Sequence, residues 1–128
     1  MKWLPLLLVA AAPAAADPRG DYLLHCSGCH RQDGSGLPSN GIPDLRDNGR
    51  HAAATPWREY LVQVPGVAQS QLDNARTAAL LNWLLAQFAA PLPADFRPFT
   101  AQEVAGYRSR TAHDAPTRRA AILRQLGD

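Results

Sequence analysis

Long hydrophobic runs are missing from this 128-residue sequence after its first residues. A membrane-spanning helix needs about 20 consecutive apolar residues, so the sequence predicts no span in the mature chain. A dominant charge is also missing, because 13 basic residues face 11 acidic ones. That balance argues against nucleic acid or an anionic lipid surface as the partner.

Alternation of apolar and polar residues, the pattern of a half-buried strand, is not found, and there is no internal repeat. The length is sufficient for one compact core. Residues 32–49 are rich in Gly, Pro, Asn and Ser, which predicts a loop that wraps a ligand. Capping residues and first-turn prolines predict an all-α fold of short helices, with helix starts near Asp17, Thr55, Asp73, Thr100 and Asp114.

Cysteine is scarce, and both cysteines stand in the pentad Cys26-Ser27-Gly28-Cys29-His30. This is the attachment pattern of haem c: one helical turn separates the two sulfurs that bond the vinyl groups, and the next imidazole binds iron. A redox disulfide would be expected in a βαβ frame, which is missing here. A zinc site would need a second ligand pair at short spacing, and none is present. We therefore predict one covalent haem on Cys26 and Cys29, with His30 as the proximal iron ligand.

The first sixteen residues have the three parts of a secretory signal peptide. Met1 and Lys2 supply the charged start, residues 3–12 the apolar run, and residues 13–16 the small-residue end. We expect cleavage after Ala16 and a mature protein in the periplasm, the compartment in which haem is attached. An uncleaved N-terminal anchor is the alternative.

Beyond the pentad, residues 17–88 resemble the class I c-type cytochromes, which bind one haem. The resemblance rests on Tyr22, the Gly-rich residues 33–36, the triplet Pro43-Asp44-Leu45 and Trp83 in the last long helix. It implies that the Pro43 carbonyl accepts a hydrogen bond from the proximal imidazole and that Leu45 packs on the haem. We expect a cytochrome domain over 17–90. Residues 91–128 lie outside the resemblance, and the helix starts at Thr100 and Asp114 predict that they form a C-terminal helical extension.

The usual methionine ligand of that family is missing, since the sole methionine is Met1. The resemblance places Val64-Pro65 where Met-Pro would stand. His51, between the Pro43 triplet and the next helix, is one candidate for the distal ligand. His113, in the extension, is another. An open or water-bound iron is the third alternative.

The function expected from these features is that of a periplasmic electron carrier, not an enzyme. Such a carrier meets a dehydrogenase, reductase or oxidase in a small transient contact, and the chain itself is expected to be monomeric. The alternative is a haem protein whose open distal site binds a gas or a small oxidant. A role as a subunit of a larger redox enzyme is suggested only by the extension.

Overall fold

The computed structural model describes residues 16–110 and 113–128, so the predicted signal peptide lies outside the described residues except for Ala16. Within these ranges the fold is all-helical, as predicted, and the only β pairing is the isolated bridge between Leu37 and Ile42. None of the helices in the described ranges has the length and hydropathy to cross a bilayer. The helices are α1 (Pro18–His25), α2 (Ser27–His30), α3 (Thr55–Gln63), α4 (Pro65–Ala68), α5 (Asn74–Phe88), α6 (Ala101–Arg108) and α7 (Ala115–Leu126).

Four of the five expected helix starts carry a side-chain cap. Each capping oxygen accepts a hydrogen bond from a backbone N–H in the first turn, which would otherwise have no partner. The distances are 3.0 Å at Asp17, 2.8 Å at Asp73, 3.1 Å at Thr100 and 3.1 Å at Asp114. The fifth start differs, because Thr55 is already helical and Ala54 is the residue before the helix.

Two segments hold short helices that the sequence did not predict. Pro65 begins the short helix α4, because a proline fits the first turn of a helix as well as it ends one. The 32–49 loop holds two 3-10 helices, Pro38–Asn40 and Leu45–Asn48. Short turns of this kind are built from local bonds that a composition rich in Gly and Pro does not reveal.

The centre of the molecule is the contact between α1 and α5. The ring centroid of Tyr22 lies 5.5 Å from that of Trp83 and 5.0 Å from that of Phe88. Asp21, which is buried, forms an ion pair with Arg76 across the same contact. This packing fixes the direction of α1 and therefore the position of the pentad that follows it.

Residues 91–110 and 113–128 pack on the same core as the rest of the described chain. The Arg58 guanidinium, on α3, forms two 2.8 Å hydrogen bonds with the Glu103 carboxylate on α6. It also lies 3.9 Å from the centroid of the Phe99 ring. On the other side of α6, Arg108 donates to backbone carbonyls of residues 67–72, including Ser70 at 2.7 Å. The α6 helix is thus bonded to segments on both sides of α4.

Candidate functional site

The pentad forms a single turn that begins where α1 ends. The backbone N–H groups of Cys29 and His30 both donate to the Cys26 carbonyl, at 3.2 and 2.9 Å. Because of this turn, the two sulfur-bearing residues and the imidazole line one cavity of about 660 Å³. The volume lies within the range of about 300–1,000 Å³ that is usual for ligand and cofactor sites.

The His30 ring is oriented by the loop that follows the pentad. Its Nδ1–H donates to the Pro43 carbonyl at 3.0 Å, the bond that the resemblance implied. Burial lowers the pKa of His30, although the bond to Pro43 acts in the opposite direction. The ring is therefore neutral at physiological pH, and its Nε2 lone pair is left for a metal.

The position of the Pro43 carbonyl depends on two glycines. The Gly36 N–H donates to the His30 carbonyl at 3.0 Å, and the Leu45 N–H donates to the Gly34 carbonyl at 2.8 Å. Both glycines have positive φ, +75° for Gly34 and +62° for Gly36. The turn brings Pro43 and the buried Leu45 to the cavity wall.

The cysteines do not have the character of a catalytic redox pair. Burial raises the pKa of the Cys26 thiol to about 11, and Asp21 and Cys29 act in the same direction. Thiol–disulfide oxidoreductases need the opposite, a cysteine whose pKa is lowered. The electrostatics of the pentad therefore argue against the disulfide alternative.

The remaining walls of the cavity come from α3, α4, α5 and α7. The first three supply mostly apolar side chains, among them Leu61, Val67 and Leu81, and Val64 lines the cavity between α3 and α4. The sequence did not predict the contribution of α7. Its lining residues Pro116, Arg119, Ala120 and Leu123 recur at the spacing of one helix face, which is the signal that was present in the sequence.

The three other histidines of the sequence lie in different surroundings. His25 lines the cavity beside Cys26 and is exposed. His51 is outside the cavity lining, and its Nε2 is 2.5 Å from Oδ2 of Asp128. His113 is exposed and is also outside the lining. The structure thus brings Pro43 and Leu45 together with the pentad, and neither distal candidate with them.

These residues fit a haem that is bonded to the chain. Two sulfurs and a neutral imidazole lie one turn apart, and the imidazole carries an orienting partner as metal-bound histidines do. The cavity they line has predominantly apolar walls, which suit a porphyrin ring.

Comparison with known proteins agrees with this fit. In an alignment 124 residues long, the chain is 33% identical to a cytochrome c-552 of Thermus thermophilus, and the alignment covers 82% of this chain and 83% of the relative. It is 32% identical to a second Thermus thermophilus cytochrome c-552 over 104 residues, covering 66% of this chain and 79% of the relative. No family model matches the chain, and no solved structure does. On the strength of the first of these relationships, the chain belongs to the c-type cytochromes.

Proposed function

We propose that this chain is a class I, monohaem c-type cytochrome that carries single electrons between redox partners. The observation that carries the proposal is the convergence of Cys26, Cys29 and His30 on one cavity, with the His30 ring held by the Pro43 carbonyl. The relatives named cytochrome c-552 support it. The bound haem c supplies the chemistry, a one-electron change at iron.

The residues of the chain hold and tune that group. Cys26 and Cys29 would form the covalent thioethers, and His30 would bind iron through Nε2. The Pro43 carbonyl keeps the imidazole in the tautomer whose Nε2 is free, and it increases the basicity of the ring. Leu45 and the apolar walls exclude water, so the change of oxidation state requires little rearrangement.

Electron transfer needs one edge of the site to be accessible to a partner. Cys29 is exposed, and so is the neighbouring His25. A periplasmic dehydrogenase, reductase or oxidase that makes a small, transient contact at this edge is the partner class we propose. A carrier of this kind acts as a monomer.

The location and the domain organisation belong to the same proposal. Residues 1–16 would direct export to the periplasm and be removed, residues 17–90 would form the cytochrome domain, and residues 91–128 the extension. Coverage of 82% of the chain by the first relative corresponds to about 105 residues, more than the 90 that precede Pro91. The similarity therefore includes part of the extension.

Covalent attachment is the property that tests the proposal. Acidified acetone should extract no haem from the exported wild-type protein, since a thioether does not dissociate. Cys26→Ala and Cys29→Ala should each give poorly matured protein, whereas Ser27→Ala, within the same pentad, should mature normally. Release of the haem from wild type into the organic layer would refute the proposal.

A second candidate function is favoured by the composition of the cavity wall. In the described part of the chain, the imidazoles that line the cavity are those of His25 and His30, and α3, α4, α5 and α7 supply neither His nor Met. His51 is engaged by Asp128. An iron position that is open or held by water would allow binding of a gas or turnover of a small oxidant.

Carbon monoxide separates the two candidates. If the distal iron position is open, addition of carbon monoxide to the dithionite-reduced protein shifts the Soret band. In that case His51→Ala and His113→Ala leave the ferric spectrum unchanged. If His51 or His113 is the ligand, wild type is low-spin and does not take up carbon monoxide. The corresponding variant then becomes high-spin or water-bound.

A further inference from the structure

The inner face of α7 carries one charge. Pro116, Arg119, Ala120 and Leu123 all line the large cavity, and Arg119 is the charged member of this row. Arg119 is half-buried. Withdrawal of a cation from water costs free energy unless the cation is paired, so we expect the Arg119 guanidinium to have a partner.

The described residues supply only a weak partner. The guanidinium carbon of Arg119 lies 5.4 Å from the centroid of the Trp57 ring, which is a cation–π contact. Among residues 16–110 and 113–128, no carboxylate forms an ion pair with Arg119 and no acceptor forms a hydrogen bond with it. The five N–H donors of the guanidinium are therefore left for another acceptor.

Arg119 also lines a second, smaller cavity of about 480 Å³, which shares Asp47 and Leu123 with the large one. The smaller cavity is polar, and no residue of the Cys26–His30 pentad lines it. Its two other arginines are already paired, Arg46 with Asp44 and Arg50 with Asp128. Arg119 thus marks a polar mouth of the large cavity, away from the cysteines.

We infer that Arg119 binds a carboxylate of the haem, a propionate, and thereby makes α7 part of the cofactor site. The argument rests on the proposed function, since it takes the haem to be bonded at Cys26 and Cys29. The propionates of a haem lie on the edge opposite its vinyl groups, so attachment at the cysteines directs them away from the pentad. Arginine suits this role because its planar fork matches a carboxylate in two hydrogen bonds.

The charged and titratable groups around Arg119 come from three other parts of the chain. Tyr60 lies on α3, and Arg46 and Asp47 belong to the 3-10 helix Leu45–Asn48. Arg50 and Asp128 complete the small cavity. Asp47 would repel a propionate, and Arg46 and Arg50 are already paired with carboxylates. Among the described residues that line this cavity, Arg119 is therefore the arginine left to bind one.

The test is the dependence of the reduction potential on pH in the haem-loaded protein. The Arg119 charge keeps the propionate ionised and favours the ferrous state. Wild type should therefore show a nearly constant potential from mildly acidic to neutral pH. Arg119→Gln should have a lower potential at neutral pH, and one that falls with rising pH across this range as the propionate titrates. Arg119→Lys should stay close to wild type.

Arg124→Gln is the matched control, because Arg124 is exposed on the same helix and lines neither cavity. The propionate bending mode in the resonance Raman spectrum should shift in Arg119→Gln and remain in place in Arg124→Gln. A wild-type potential that falls steeply with pH over this range would overturn the inference, without any variant. Equal behaviour of the two glutamine variants would do the same. Wild type without covalent haem would instead refute the proposed function.

Discussion

Two glycines in the loop after the pentad differ in what surrounds them, although both have a left-handed backbone. A Cβ at Gly36, where φ is +62°, would lie 2.4 Å from the Pro43 carbonyl oxygen and 2.7 Å from that of Ile42. A Cβ at Gly41, where φ is +77°, would meet no atom within 4 Å. The Pro43 oxygen is the acceptor of the His30 ring, so crowding at Gly36 acts directly on the metal ligand.

Gly36→Ala should therefore destabilise the haem-loaded protein far more than Gly41→Ala. Left-handed backbone costs an alanine about 1–2 kcal/mol at either position. At Gly36 the collision with backbone atoms adds to this, and we expect a total loss of about 3 kcal/mol or more. Denaturant unfolding of the two variants measures the difference. Equal losses would show that the loop can move away without affecting Pro43.

Two ion pairs join α3 to α6 and to the residues just after α6, and they differ in burial. The Arg58 side chain retains 6% of its exposure and its partner Glu103 retains 22%. Arg110, which lies 3.8 Å from Glu59, retains 72%. A buried charge that loses its partner is costly, whereas an exposed pair contributes little.

Glu103→Gln should accordingly cost about 3 kcal/mol, since the Arg58 charge is left within the core. Arg110→Gln should cost less than about 1 kcal/mol. The free energies of unfolding of the two variants, measured at neutral pH, provide the check. Arg58 also donates to the carbonyls of Ala52 and Arg97. A loss at Glu103 as small as that at Arg110 would mean that these carbonyls and the Phe99 ring are sufficient to hold the Arg58 charge.

The α7 helix is held at its far end by Asp128. Hydrogen bonding by His51 is the main reason that the pKa of the Asp128 carboxyl is lowered, and the Arg50 charge acts in the same direction. Because the pKa of Asp128 is lower in the folded state, its carboxylate stabilises the fold at pH values above the pKa that Asp128 has in the unfolded chain. That stability is lost as the pH falls through the folded value.

Asp128→Asn should therefore have a lower thermal midpoint than wild type at neutral pH, with a difference that shrinks below about pH 4. Asp95→Asn is the control, because the described residues form no ion pair with Asp95. Thermal unfolding of the three proteins over a pH series measures both effects. A difference that stays constant into acid would exclude an ionic contribution from Asp128.

Local spacing explains which elements the sequence predicted. The helix starts at Asp17 and Asp73 depend on bonds that span three residues, and the pentad depends on a single turn. The bonds of His51 with Asp128 and of Arg58 with Glu103 span 77 and 45 residues. No local pattern encodes such distances, because tertiary packing decides them. For this reason the role of α7 at the cavity was not predicted.

At the scale of the whole molecule, two walls of the cavity come from outside the pentad, its loop and α5. One is the junction of α3 and α4, where Val64 and Val67 line the cavity, and the other is α7. The resemblance to the class I cytochromes predicts that Val64 stands where the methionine ligand of that family would be. Pro65 follows Val64, so the local Met-Pro frame is kept while the sulfur is missing.

Val64→Met should restore a sulfur ligand, because the replacement lines the cavity and keeps the following proline. The ferric variant should gain the weak near-infrared band of a sulfur–iron bond, and the reduced variant should not take up carbon monoxide. Its potential should rise above that of wild type, since methionine ligation raises it. Val67→Met adds the same sulfur to the same cavity from within α4, three residues further along the chain, and it should produce neither the band nor the rise. A band in unmodified wild type would overturn the premise, and no band in Val64→Met would show that this wall does not approach iron.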